Sequence, residues 1–123
     1  MYRLTVKKDF VAQHYLTVPN AGPENEWHSH HFEVEVQMEG EELNENGYLI
    51  DIVEVEGALD DLIDRYRDAT LNDLPEFDGL NPSVEHFSRI VCTALRDRLP
   101  TEPLTGLTVR IWEDDDAWAS YTV

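Results

Sequence analysis

From His28 to Gly40 the side chains alternate without a break. His28, His30, Phe32, Val34, Val36 and Met38 take the even positions, and Glu33, Glu35, Gln37 and Glu39 take the odd ones from Glu33 onward. A period of two over this length belongs to a β-strand with one apolar and one acidic face. Slipping its pairing by one residue would bury the acids and expose the apolar set, so the strand carries its own register. The chain must therefore supply neighbouring strands and a layer that covers one face.

The rest of the sequence provides both. Residues 2–16 place Tyr2, Leu4, Val6, Phe10, Ala12 and His14 at even positions, with a polar interruption at Lys7, Lys8 and Asp9 where a bulge or bend is expected. A loop containing the turn formers Pro19, Asn20, Gly22 and Pro23 leads to the strand described above. Beyond it, residues 41–47 read as a hairpin turn and residues 48–52 as a short returning strand. From Val53 the spacing becomes helical, with Val55, Leu59, Leu62, Ile63 and Tyr66 on one stripe. A long structured loop over residues 67–82 precedes a second helix over residues 83–99, whose apolar face is Val84, Phe87, Ile90, Val91, Ala94 and Leu95 and which Pro100 ends. Strands over residues 107–112 and 118–123, joined by an acidic turn at residues 114–116, close the chain. The order is ββααββ, counting the returning strand with its hairpin. The predicted fold is α+β: one domain over residues 1–123, a four-stranded antiparallel sheet with two helices on one face.

Charge narrows the partners. Asp and Glu number 26 against 9 Lys and Arg, a formal net charge of -17. Such a chain repels polyanions, so neither nucleic acid nor an anionic membrane is expected as a partner. The acids are dispersed through folded segments, which suggests adaptation to high salt, where screening removes most of the self-repulsion; the alternative is an ordinary acidic cytosolic protein. The lone cysteine, Cys92, has no internal disulfide partner; no positively charged start leads into a short apolar stretch of the signal type, and no apolar run approaches spanning length. A cytoplasmic protein is expected.

The chemistry is concentrated in the histidines. His28 and His30, two apart on a strand, point to the same face and lie roughly 7 Å apart along it, a separation from which two imidazoles can converge on one ion. His14 ends the run of inward residues on the first strand, and antiparallel pairing of the two strands brings it to the same pocket. Three neutral imidazoles leave a fourth position open, the arrangement of a catalytic rather than a structural zinc. His31, of opposite parity, points away. The alternative is that these histidines are packed core residues that hold no metal.

Several segments, in this order, resemble the 6-pyruvoyl-tetrahydropterin synthase and 6-carboxy-tetrahydropterin synthase family. Phe10-Val11-Ala12-Gln13-His14-Tyr15-Leu16 is similar to the family's Phe-x-Ala-x-His-x-Leu, and His28-Ser29-His30 to its His-Gly-His. Gly47-Tyr48-Leu49-Ile50-Asp51 resembles the segment before its first helix. Leu71-Asn72-Asp73 matches its Leu-Asn-Asp, and Asn81-Pro82-Ser83-Val84-Glu85 is close to its Asn-Pro-Thr-x-Glu. Val109-Arg110-Ile111-Trp112-Glu113, with Ala119 and Tyr121 beyond, resembles its closing motif. The resemblance implies the tunnelling fold, in which subunits join sheets into barrels that stack as hexamers built from trimers. It implies zinc on His14, His28 and His30, a small-molecule pterin substrate and a pterin anchor at Glu113. A carboxylate suits the last task because it accepts two parallel hydrogen bonds from a pterin's amino group and ring N–H. By itself Glu113 is a strand-end acid in an acid-rich chain. Ser83 and Glu85, which the resemblance places beside the pterin, also suit the capping of the second helix.

Two family pieces are missing. Its general-base cysteine, a few residues before the histidine pair, is replaced here by Glu24, Asn25, Glu26 and Trp27, and its Asp-His pair by Arg67 and Asp68. Cys92, within the second helix, reads as a small core residue. Either carboxylates have taken over, with Glu24 or Glu26 as base and Asp68 as partner, or the chain keeps zinc and pterin pocket as a binding or regulatory relative. One branch of the family, forming a hydroxymethyl-dihydropterin, does use a glutamate three residues before the histidine, but here that position is Asn25. The product, among the folate, tetrahydrobiopterin and queuosine-type pathways, stays open.

Overall fold

The computed structural model describes residues 1–123. Its strands are β1 (Tyr2–His14), β2 (His28–Gly40), β3 (Gly106–Trp112) and β4 (Trp118–Thr122), and its helices α1 (Ile52–Tyr66) and α2 (Val84–Arg98). They form one antiparallel sheet of order β1-β2-β3-β4. The predicted α+β layering is therefore the observed one. β1 and β2 pair along their full length, from Tyr2 opposite Gly40 to His14 opposite His28.

That register turns every even residue of β1 and β2 towards the helices. Val6, Phe10, Ala12, Phe32, Val34, Val36 and Met38 are buried there, joined by Leu107, Val109 and Ile111 of β3. The stripes of α1 and α2 cover them, and Phe87 stands at the centre, its ring 5.1–6.0 Å from those of Phe10, Phe32, Tyr66 and Phe77. Asp51 caps α1 by accepting from the Val53 N–H, and Ser83 caps α2 by accepting from the His86 N–H, which satisfies otherwise unpaired donors.

Two local expectations are corrected. No bulge interrupts β1: its ladder runs through Lys7, Lys8 and Asp9. Lys8 keeps the inward parity because its ammonium reaches Glu56 and Asp60 of α1, at 3.4 and 3.5 Å. Nor do residues 48–52 form a strand returning along β2, because β1 and β3 already occupy both of its edges. Instead Leu49 and Ile50 are buried in the core and Asp51 opens the helix. Gly40 makes this close packing possible; a Cβ there would stand 2.6 Å from a Leu49 methyl and 2.7 Å from the Pro103 carbonyl oxygen.

The opposite face of the sheet is ion-paired rather than simply wet. Glu33, Glu35 and Glu39 are met by Lys7, Arg110 and Arg3 at 3.3, 3.4 and 3.0 Å. The guanidinium of Arg110 also lies 4.0 Å over the Trp118 ring. No helix is long and apolar enough to cross a membrane.

Candidate metal centre

The end of β1, the start of β2 and the residue after β3 meet at one end of the sheet. His14 faces His28 across the ladder, and His30 follows two residues later on the same side, so the three rings lie 4.6–5.0 Å apart between centroids. His31 turns to the other face, where it meets Asp9 at 2.6 Å. Parity thus places all four histidines where the alternation predicts.

Hydrogen bonds orient two of the rings. His14 Nδ1 lies 2.9 Å from the Pro82 carbonyl oxygen and His28 Nδ1 lies 2.7 Å from that of Glu26. A carbonyl oxygen only accepts, so each Nδ1 carries a proton and each Nε2 is the nitrogen turned to the centre. Backbone carbonyls commonly fix metal-ligating histidines in this way. The buried Nε2 of His14 has no hydrogen-bond partner. Burial, opposed by the Pro82 bond and aided by the neighbouring imidazoles, lowers the His14 pKa from 6.5 to about 4, keeping the ring neutral and able to donate its lone pair.

Two carboxylates complete the cluster. Glu24 Oε2 lies 3.0 Å from His28 Nε2 and 4.0 Å from His30 Nε2. Glu113 Oε1 lies 3.1 Å from His30 Nε2 and 3.7 Å from His14 Nε2. Burial raises the Glu113 pKa despite the opposing pull of His30. One donor atom each from His14, Glu24, His28 and His30 fall within 4.8 Å of one another, a grouping able to hold a metal ion. Three imidazole nitrogens and a carboxylate are a donor set suited to zinc, and the orphaned His14 Nε2 is the atom that an ion would satisfy.

The other sequence-derived candidates separate. Glu26 contributes its backbone carbonyl to His28, while the residue itself is exposed. Asp68 is exposed beside the edge of β1, its N–H donating to the Val11 carbonyl at 2.7 Å, and stays outside the cluster of this chain. Ser83 serves as the N-cap of α2 and Glu85 lies in its first turn; the adjoining Pro82 carbonyl is what touches the site. Cys92 is buried in α2 with its thiol towards the Leu107 carbonyl, and burial pushes the thiol pKa up.

Residues not singled out as site-builders hold the framework. Asn25 donates to the Leu16 and Val18 carbonyls and accepts from the Ala21 N–H, which fixes the short 3₁₀ turn Gly22–Asn25 that carries Glu24. Asn72 clasps Tyr15 through both its N–H and its carbonyl, and Asn81 accepts from the Thr17 N–H. The chain leaving His14 is therefore pinned from both loop motifs. Asparagines in loops are the signal, since their side chains bind nearby backbone.

An antiparallel sheet backed by two helices is a fold shared with solved pterin-synthase structures. The 6-pyruvoyl tetrahydropterin synthase of Caenorhabditis elegans superposes with a TM-score of 0.82 at 20% identity, over 100% of this chain and 97% of that one. The Plasmodium vivax 6-pyruvoyl tetrahydropterin synthase gives 0.84 at 13% identity, over 99% and 97%. A variant of the latter, described as a catalytic residue mutant and carrying alanine for glutamate, gives 0.82 at 15%, over 99% and 97%. At the level of sequence, residues 3–123 match the family model for 6-pyruvoyl tetrahydropterin synthase, and the chain belongs to that family.

Proposed function

We propose that this chain is a zinc-dependent, pterin-transforming lyase acting on 7,8-dihydroneopterin triphosphate or a related dihydropterin. The observation that carries the reading is the convergence of three imidazole Nε2 atoms, one of them buried and unpartnered, in a chain of this family. His14, His28 and His30 would hold the zinc, which when bound supplies a Lewis acid that polarises substrate oxygens. Glu113 is the pterin anchor, its half-buried carboxylate accepting paired N–H donors from the ring. Ser83 and Glu85, at the start of α2, would lie beside the pterin, as the family resemblance implies.

Glu24 is the general base. Its carboxylate faces the histidines while Asn25, one residue on, is committed to the loop backbone, so the turn itself compensates for the one-residue offset. A glutamate described as a catalytic residue in the Plasmodium vivax relative supports a carboxylate in this role. Oε2 of Glu24 would accept the proton removed from the pterin side chain. Glu26, the other candidate, remains the weaker choice because only its carbonyl reaches the site. Asp68 would act as partner acid only across a subunit boundary, in the homohexamer of trimers that the family resemblance implies. A cytoplasmic, salt-adapted enzyme completes the reading.

The position of Asp68 outside the cluster favours a second reading, a pterin-binding relative without turnover. Incubation with 7,8-dihydroneopterin triphosphate and zinc, followed by product identification, separates the two. A hydroxymethyl, pyruvoyl or carboxy product supports the enzyme; tight binding with intact substrate supports the second reading. Glu113→Ala is expected to weaken pterin binding while leaving zinc content unchanged, and an unaltered pterin affinity would remove Glu113 from the pocket.

A further inference from the structure

We propose that Glu24 is a displaceable fourth ligand of the metal centre, closing the site when no substrate is present. The inference rests on the zinc reading above and adds to it a state in which the base is held on the metal side.

A four-coordinate zinc with bonds of about 2.0–2.1 Å separates its donors by about 3.3 Å. The separations among His28 Nε2, His30 Nε2 and Glu24 Oε2 are 3.0, 3.0 and 4.0 Å, bracketing that value. His14 completes the set within the mutual 4.8 Å limit. Burial sorts the four donors by side. The His14 side chain is 2% exposed and those of His28 and His30 23% and 18%, whereas Glu24 is 47% exposed. Glu24 therefore stands at the mouth of the cluster, where a small ligand would enter.

The loop explains how it can both hold and release. Its backbone is fixed: the Leu16 N–H donates to the Glu24 carbonyl at 2.8 Å, and Asn25 ties the turn at three points. The carboxylate itself is bonded to nothing but the histidines, so rotation of one side chain frees the fourth position without moving the loop. Its negative charge also offsets part of the charge of a divalent ion surrounded by neutral imidazoles. An anionic ligand must then compete with a tethered carboxylate, which lowers its apparent affinity.

Cobalt(II) in place of zinc makes the fourth position visible, since its d–d bands follow coordination, and thiocyanate serves as the competing anion. Wild type, Glu24→Gln, Asn25→Ala and Glu26→Gln, each loaded with cobalt and checked for one metal per chain, would be titrated with thiocyanate. Glu24→Gln is expected to alter the d–d bands and tighten thiocyanate by a factor on the order of ten or more. Asn25→Ala, with every donor retained but the turn released, should give a smaller tightening. Glu26→Gln removes an equal charge two residues away and should leave bands and affinity close to wild type. Equal affinity in wild type and Glu24→Gln would overturn the proposal while leaving the metal site standing, as would equal tightening by Glu26→Gln. Failure of the wild type to bind cobalt or zinc would overturn both readings.

Discussion

Acid should destabilise the metal-free protein through His14, and the size of the effect follows from its burial. The ring is 2% exposed, and its pKa falls from 6.5 to about 4 on folding. Above the unfolded value both states hold a neutral imidazole and the pH has no leverage. As pH falls below 6.5 the unfolded chain takes up a proton that the folded chain refuses until near pH 4, so stability present at neutral pH is lost across that window. At about 1.4 kcal/mol per pKa unit, the loss amounts to about 2 kcal/mol at about pH 5 and about 3 kcal/mol near pH 4. Urea unfolding of chelator-treated protein, at fixed protein concentration and a series of pH values, measures it. His14→Gln provides the reference, because it keeps every other titrating group, including the many carboxylates. The difference between wild type and variant should shrink by those amounts on acidification. Parallel stability curves for the two proteins would show that His14 does not lose its proton affinity on folding, and the argument from its buried, unpartnered nitrogen would fail.

Two further outcomes test the frame. Phe87→Ala removes the ring at the centre of the aromatic core and should cost about 3–5 kcal/mol in chemical unfolding; a loss under about 1 kcal/mol would mean that the four flanking rings do not pack as described. With a net charge of -17, potassium chloride should raise the melting temperature by about 4 °C or more between dilute and molar salt, roughly 1 kcal/mol for a chain of this size, and a flat or falling response would argue against salt adaptation.

The histidine cluster was legible because it sits on strands. Side chains on a strand have only two directions, so the alternation that buries Phe32, Val34 and Val36 also states where His28 and His30 point, and a matching parity in β1 adds His14. Where the outcome depended on distant partners, local pattern misled. Lys8 looked like an interruption because the acids of α1 that receive it are far along the chain. Residues 48–52 looked like a strand because nothing local shows that β3 already holds the second edge of β2. Which of the Glu24 and Glu26 carboxylates faces the histidines was likewise closed to sequence alone. It turns on a 3₁₀ turn and on Asn25 bonding to backbone, which set the direction of each side chain in a loop with no periodicity to read. The Pro82 carbonyl was invisible for another reason: a backbone acceptor carries no residue signature, and here it is the group that orients His14.

Metal analysis of the purified protein tests the central claim most directly. Wild-type protein, dialysed against trace zinc, should hold one zinc per chain, and His28→Ala should lose it while remaining folded, since the ring is near the surface end of the cluster rather than in the apolar core. A wild type that retains no zinc, together with a His28→Ala variant as stable as its parent, would show that the three histidines are packing residues and that the site holds no metal.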